Sequence, residues 1–280
     1  MIIATNPPSI PKIDIYRYNP DTKGRDLVIS SESPLKTGDS VALQTYKAAL
    51  DTLQYYQSEF KRNSFDGRGA PISVVIGYQE VAGTPMNNAF WSSTDKTMYF
   101  GDGDGKIFSP LGTAADVFAH EFTHAVIESE VSLNYVGQSG GIHESYSDIL
   151  ATGVDHNTQI GEGVFTPDIK GDAIRDLAHL KYTHVKSLAS GESEPHIMGE
   201  PLSTAAMRAA DVIGIDKVRH IWYDSLIRGL KDNSGYDGAR AATIGAASTL
   251  YGKDVSASVQ QAWDAVGILG KHGAKEVKKV

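Results

Sequence analysis

Apolar residues recur at helical spacing through residues 41–62, where Tyr46, Leu50, Leu53, Tyr56 and Phe60 share one face, and the pattern stops at Asn63 with Gly67 beyond. That predicts a long amphipathic helix. Before it, residues 13–18 and 27–30 read as short strands, and residues 72–78 and 97–100 read as two more, separated by Gly and Pro turns. Residues 114–130 read as a helix opened by Thr113 as N-cap, with Asp116 three residues on. Downstream, residues 201–213, 216–230, 238–250 and 255–266 are Ala-rich or amphipathic. Strands concentrate early and helices late, so the expected class is α+β with two lobes, residues 1–131 and 132–280, sharing a cleft. No internal repeat or low-complexity tract is visible.

Composition narrows the partners. The chain has 280 residues, 41% of them hydrophobic, long enough for two lobes rather than one small core. A formal net charge of −8 and the lack of a basic stripe interleaved with aromatics argue against nucleic acid. Lys275, Lys278 and Lys279 form a short basic end, which is expected to be solvated. There is no cysteine, so stability must come from packing and bound ions rather than disulfides. No run of about eighteen apolar residues exists, so no membrane association is expected. Residues 1–12 lack the basic start and apolar middle of a secretory signal.

The candidate chemistry centres on His120-Glu121-Phe122-Thr123-His124. On a helix, two histidines four apart face the same way and can grip one zinc ion, with the intervening glutamate beside it. The same residues would also suit a buried helix with two hydrogen-bonded core histidines. A hydrolytic zinc site needs a third protein ligand and an open position. Glu144 supplies it, from Gly140-Gly141-Ile142-His143-Glu144-Ser145-Tyr146-Ser147-Asp148 at the start of a second helical pattern. Asp148 lies one turn beyond Glu144, where a carboxylate can accept the second ring N–H of His120 and fix its tautomer. Taken alone, Glu144 and Asp148 read equally well as charges on a solvated helix.

With these residues in place the chain resembles the thermolysin family of zinc neutral metalloendopeptidases. The resemblance rests on Asn87-Asn88-Ala89-Phe90-Trp91, on Tyr99-Phe100-Gly101-Asp102-Gly103-Asp104-Gly105, on residues 120–126 and on residues 144–148. It continues through residues 166–175, Pro195-His196-Ile197, Tyr251-Gly252 and Ala262-Trp263-Asp264-Ala265-Val266-Gly267, so it spans about residues 38–267. It implies a β-rich N-terminal lobe, a helical C-terminal lobe, the zinc helix at the cleft between them, and a secreted protein, in a mature or recombinant form or exported by another route, acting as a monomer on peptides or unfolded proteins.

The roles it implies are specific. Zinc on His120, His124 and Glu144 would bring the pKa of water at the open position towards neutrality. Glu121 would act as general base and then proton donor to the departing amine. His196 and Tyr135 would donate to the oxyanion. Asn88 and Ala89 would offer an edge strand to an extended peptide, and the forked donors of Arg175 would hold a substrate carbonyl. Phe108, Leu111, Val117, Val164 and Ile174 would line the pocket for the side chain after the cleaved bond. All five are apolar, so cleavage before Leu, Ile, Phe or Val is expected.

Departures from the family pattern carry their own expectations. The family's oxyanion histidine is usually held by an aspartate five residues earlier; here Gly191 stands there, leaving Glu192 or Glu194 to substitute. Asp116, Asp155 and Glu162 match acidic calcium ligands of the family, but Asn157 and Gln159 replace further acids, which suggests one ion rather than two. A separate calcium loop is implied at residues 165–172, with side-chain oxygens from Thr166 and Asp172 and carbonyls from Phe165 and Ile169. Two other readings share the metal ligands. An inert zinc-bearing adhesion or toxin module would need none of Glu121, Tyr135, Arg175 and His196. A zinc aminopeptidase generally places an acid in the substrate strand, and residues 86–90 offer none.

Overall fold

The structure is a computed structural model that describes residues 10–33 and 37–270. The basic end with Lys275, Lys278 and Lys279 lies outside the described residues. Seven strands and seven α-helices are described, the strands mostly before residue 101 and the helices mostly after residue 114.

Five strands make one mixed sheet: β1 (Ile13–Asn19), β2 (Gly24–Ser30), β3 (Ile72–Ile76), β4 (Ala89–Ser92) and β5 (Thr97–Phe100), in the order β2-β1-β3-β5-β4. β1, β3 and β5 run parallel, while β2 and β4 are antiparallel to their neighbours. Ile13, Ile15, Ile72, Val74, Ile76, Met98 and Phe100 are all but completely buried, so the sheet's inner face is a continuous apolar layer. Between β1 and β3 runs α1 (Ser40–Phe60), capped by Asp39, whose Oδ1 accepts from Ala42 N at 3.0 Å, and closed by Lys61 in the left-handed conformation (φ 56°). It covers the inner face of the sheet.

Against α1 lies α2 (Ala115–Glu130), joined by Tyr56, which packs on Phe122 and shares a 2.6 Å hydrogen bond with Thr123. The helix does not begin as expected. Thr113 belongs to a preceding 3₁₀ turn and bonds back to the Pro110 carbonyl at 2.7 Å, leaving Ala114 as the cap without a side-chain bond.

The second helix also starts earlier than its sequence suggests. It is α3 (Gly137–Asp155), so Glu144 sits two turns inside it rather than at its start. Gly140 and Gly141 are poor helix formers, but a Cβ on Gly141 would stand 2.7 Å from the Met198 carbonyl carbon and one on Gly140 3.0 Å from Pro195 Cγ. The glycines therefore let α4 (Pro195–Ile213) approach closely, and this packing outweighs the propensity cost. Between them the short pair β6 (Gln159–Ile160) and β7 (Arg175–Asp176) is antiparallel and sets Arg175 opposite Ile160.

Pro201, read from sequence as a helix start, is buried inside α4. The actual start uses Pro195 at the first position and Glu194 as N-cap, its Oε2 accepting from Ile197 N at 2.8 Å, which brings His196 into the first turn. The remaining helices, α5 (Ile215–Arg228), α6 (Tyr236–Tyr251) and α7 (Lys253–Ala265), pack around Trp222 and Trp263, stacked 6.1 Å apart. Among the described residues no helix is long and apolar enough to cross a membrane.

Candidate active site

A cleft of about 590 Å³ runs between the free edge of β4 and the helices α2, α3 and α4. Its floor is α2. His120, Glu121 and His124 occupy successive positions of the helical face that meets the cleft, and each is less than a tenth exposed. Glu144 reaches the same point from α3 and is 2% exposed.

His120, His124 and Glu144 bring one ligand atom each to within 4.8 Å of one another. Nε2 of His120 and Nε2 of His124 are 3.0 Å apart, and they stand 3.3 Å and 3.5 Å from Oε2 and Oε1 of Glu144. Glu144 Oε2 is buried, and although His196 Nε2 is 3.0 Å away, no donor meets that oxygen in hydrogen-bonding geometry. Two imidazole nitrogens and an unsatisfied carboxylate oxygen converging on one point are the donor set of a tetrahedral zinc ion with a position left over. The residues present fit the metal.

The shell around these ligands holds them in place. Asp148 Oδ1 pairs with His120 Nδ1 at 2.8 Å. The same carboxylate also receives two bonds from Arg175, Nε to Oδ2 and Nη2 to Oδ1, both at 2.7 Å. Burial works against the Asp148 charge, yet Arg175 and His120 hold its carboxyl down at about 2. For His120, burial is outweighed by Asp148 and Glu144, which push it up to about 10, whereas burial takes His124 well below its ordinary value. Burial and the Glu144 charge, opposed by His120, Arg175 and His196, push the Glu121 carboxyl up to about 7.

Tyr135 and His196 close the mouth of the cleft. Tyr135 is 54% exposed as a residue, and its hydroxyl donates to Glu144 Oε1. Of the two glutamates near His196, the fold selects Glu194: its Oε1 is 2.7 Å from His196 Nδ1, while Glu192 Oε1 accepts from the backbone N–H groups of Ser193 and Glu194 instead. Burial lowers the His196 pKa, but Glu144 and then Glu194 outweigh it, so the group is raised overall despite Arg175.

Asn88 and Ala89 lie on the cleft wall, with Ala89 the first residue of β4 and the Asn88 carbonyl accepting from Gly101 N at 3.0 Å. Phe108, Leu111, Val117, Ile174 and Arg175 also line the cleft. Val164 does not. It is 1% exposed and turned into the core, its backbone tied to Gly161 and Ser109, and Ile160 of β6 takes a place on the wall instead.

The expected calcium residues are brought together in part. Asp116, Asp155 and Glu162 converge within 4.8 Å, Asp116 Oδ2 accepts from Gly161 N, and Glu162 Oε2 is buried without a partner. In the second loop, Thr166 Oγ1 donates to Asp172 Oδ2 at 2.6 Å, and Ile169 is linked by its N–H to the Thr166 carbonyl, next to Phe165. Two residues with no role assigned from sequence stand against His124: His143 and Ser147. Their spacing of four on one helix face was the available signal.

A sequence model of the thermolysin metallopeptidase catalytic domain matches residues 9–128, and one of the thermolysin metallopeptidase alpha-helical domain matches residues 131–268. The chain belongs to the thermolysin metallopeptidase family. Extracellular elastase from Staphylococcus epidermidis is 36% identical over 229 residues, which covers 79% of this chain and 45% of the elastase. Neutral protease NprE from Bacillus pumilus is 35% identical over 226 residues, 76% of this chain and 72% of that protein. Among solved structures, the precursor of protealysin, a metalloproteinase from Serratia proteamaculans, aligns over 96% of this chain and 90% of that chain, with a TM-score of 0.82 and 26% identity. The chain thus spans less than half the length of relatives such as the elastase. The thermolysin-family fold has the β-rich N-terminal and helical C-terminal parts expected from the strand and helix pattern. Family membership implies a zinc site, and the His120, His124 and Glu144 cluster is the place for it.

Proposed function

We propose that the protein is a zinc-dependent endopeptidase that cuts internal peptide bonds before a hydrophobic residue. The observation that carries this is the convergence of His120, His124 and Glu144 beside a buried carboxylate, Glu121, on the floor of a cleft walled by a free strand edge. The described parts of residues 1–131 and 132–280 act as the two lobes flanking that cleft.

His120, His124 and Glu144 would hold one zinc ion. The chemistry that zinc supplies when bound is Lewis acidity, which polarises a carbonyl and makes water nucleophilic near neutral pH. Glu121 takes the proton of the attacking water and delivers it to the departing amine, a task suited to a carboxyl raised to about 7. Tyr135 and His196 donate to the oxyanion from the cleft mouth. Arg175 keeps Nη1 free of Asp148, so this nitrogen is available to a substrate carbonyl. An extended substrate pairs with β4 near Asn88 and Ala89, using backbone groups that demand little of its sequence. The side chain after the cleaved bond enters between Phe108, Leu111, Val117 and Ile174.

Calcium is a structural ion in this reading. One ion is held by Asp116, Asp155 and Glu162, and a second by Thr166, Asp172 and the carbonyls of Phe165 and Ile169. The protein works as a secreted monomer on peptides and unfolded proteins, with neither nucleic acid nor membrane as a partner. Incubation with an unfolded protein, with and without a zinc chelator, tests the function. Internal fragments beginning with Leu, Ile, Phe or Val are expected, and they should vanish with the chelator. Release of single residues only from free N-termini would point to an aminopeptidase, and absence of any cleavage by the zinc-loaded protein to a binding module.

A further inference from the structure

His143 directly precedes Glu144 and is buried, 7% exposed, on the cleft side of α3. Its Nδ1 stands 3.2 Å from Nδ1 of His124, with the ring planes tilted by 35° and the centroids 5.4 Å apart. The Tyr135 ring meets both imidazoles edge-on, at 5.9 Å and 5.7 Å, and covers the pair. Two facing Nδ1 atoms attract only if one carries a proton and the other a lone pair.

Which carries which follows from the other end of His124. Its Nε2 points at His120 Nε2 and Glu144 Oε1, 3.0 Å and 3.5 Å away, so a metal there claims the Nε2 lone pair and leaves the proton on Nδ1. His143 then accepts at Nδ1 and carries its own proton on Nε2. We infer that His143 is a positioning residue of the zinc site, a neutral acceptor that fixes the tautomer and rotation of the His124 ring. This rests on the zinc reading given above. The two ligand histidines are consequently held by unlike partners: His120 by the Asp148 carboxylate at 2.8 Å, and His124 by an uncharged imidazole. Ser147 Oγ, 3.3 Å from the same Nδ1, is the competing acceptor, but an imidazole nitrogen is more basic than a hydroxyl oxygen.

Competition with a chromophoric chelator measures zinc affinity directly, without reference to activity. Removing an outer partner of a metal-bound histidine typically weakens binding about 10–100-fold, and this is expected for His143→Leu. His143→Asn places an amide oxygen near the Nδ1 position and should restore affinity to within about threefold of wild type. Ser147→Ala should leave it close to wild type. Equal weakening in the Leu and Asn variants, or weakening confined to Ser147→Ala, would overturn the inference. Melting of the metal-free variants verifies that each folds. Should His143→Leu not fold, ¹⁵N–¹H correlation spectra of histidine-labelled, zinc-loaded wild type decide instead: Nδ1–H on His124 and Nε2–H on His143 are expected, and Nδ1–H on His143 contradicts the role. Wild type that takes up no zinc defeats the zinc reading and this inference together. Stoichiometric zinc with unaltered affinity in His143→Leu defeats the inference alone.

Discussion

Glu194 and His196 are joined through Oε1 and Nδ1 at 2.7 Å, across the first turn of the helix that Glu194 itself caps. One carboxylate therefore both starts α4 and orients the imidazole aimed at the cleft. The His196 pKa is depressed by burial but raised more strongly by Glu144 and Glu194, so it lies above its ordinary value. If protonated His196 stabilises the oxyanion, activity is present below this pKa and lost as pH rises through it. Glu194→Gln should move the alkaline limb of kcat/KM to lower pH, and Glu192→Gln should leave it in place. A limb that does not move in Glu194→Gln, or one that survives in His196→Ala, would refute this assignment.

Glu121→Gln keeps the shape of the side chain and removes the base. Zinc content should remain stoichiometric while kcat falls by about 10²–10⁴-fold. In His120→Ala the metal itself should be lost. Metal analysis alongside turnover of a peptide blocked at its N-terminus distinguishes the two effects, and near-normal turnover in fully loaded Glu121→Gln would exclude the role.

Asp148 is shared by His120 and Arg175, so Asp148→Asn should damage two functions at once. Zinc affinity is expected to fall about 10–100-fold through the loss of the charged partner of His120. KM should rise as well, because Arg175 loses the ion pair that fixes its direction. An Arg175→Met variant should show the KM effect with little change in zinc affinity. Parallel chelator titrations and steady-state kinetics on both variants would expose any failure of this separation.

The Asp116 carboxyl is pushed up to about 7, from an ordinary value of 3.8, by burial and by the charges of Asp155 and Glu162, against the Gly161 N–H. Between those values the folded state binds more protons than the unfolded one, so this group makes stability fall as pH rises through that window. Calcium on the three carboxylates should cancel the loss. The rise in melting temperature caused by calcium is therefore expected to be larger at pH 7.5 than at pH 5, and smaller at both in Asp116→Asn. Identical melting in calcium and in a calcium-selective chelator at both pH values would argue against an ion there.

In the proposed function, substrate preference is expected to follow from the apolar wall of Phe108, Leu111, Val117, Ile160 and Ile174. In a series of blocked peptides varied only after the cleaved bond, Leu or Phe should exceed Ala in kcat/KM, with discrimination of about 1–3 kcal/mol per methylene. Val164→Ala should leave that ranking unchanged, since Val164 is turned into the core. A reversed ranking in Val164→Ala, or equal rates for Leu and Ala in wild type, would show that the pocket lies elsewhere.

Much of the site was legible along the chain because its defining relationships are local. His120, Glu121 and His124 are brought to one face by the pitch of one helix, as are Glu144 and Asp148, and their residue types are those the proposed chemistry needs. The strands around Ile13, Ile72 and Met98 were likewise announced by short apolar runs. What the chain could not announce are the choices made by packing between distant segments. Glycines that disfavour a helix locally extend α3 back to Gly137 because α4 presses on them, and Pro201 sits inside α4 because its first turn is already set by Glu194 and Pro195. Glu194 rather than Glu192 meets His196 because Glu194 caps α4, while Glu192 Oε1 is taken by the backbone N–H groups of Ser193 and Glu194. Arg175 meets Asp148 across 27 residues of chain, and His143 meets His124 across 19. Periodicity carries no information at such separations: two side chains become partners there only when their whole elements pack, and the depth of that packing decides which polar groups lose water and must find one another.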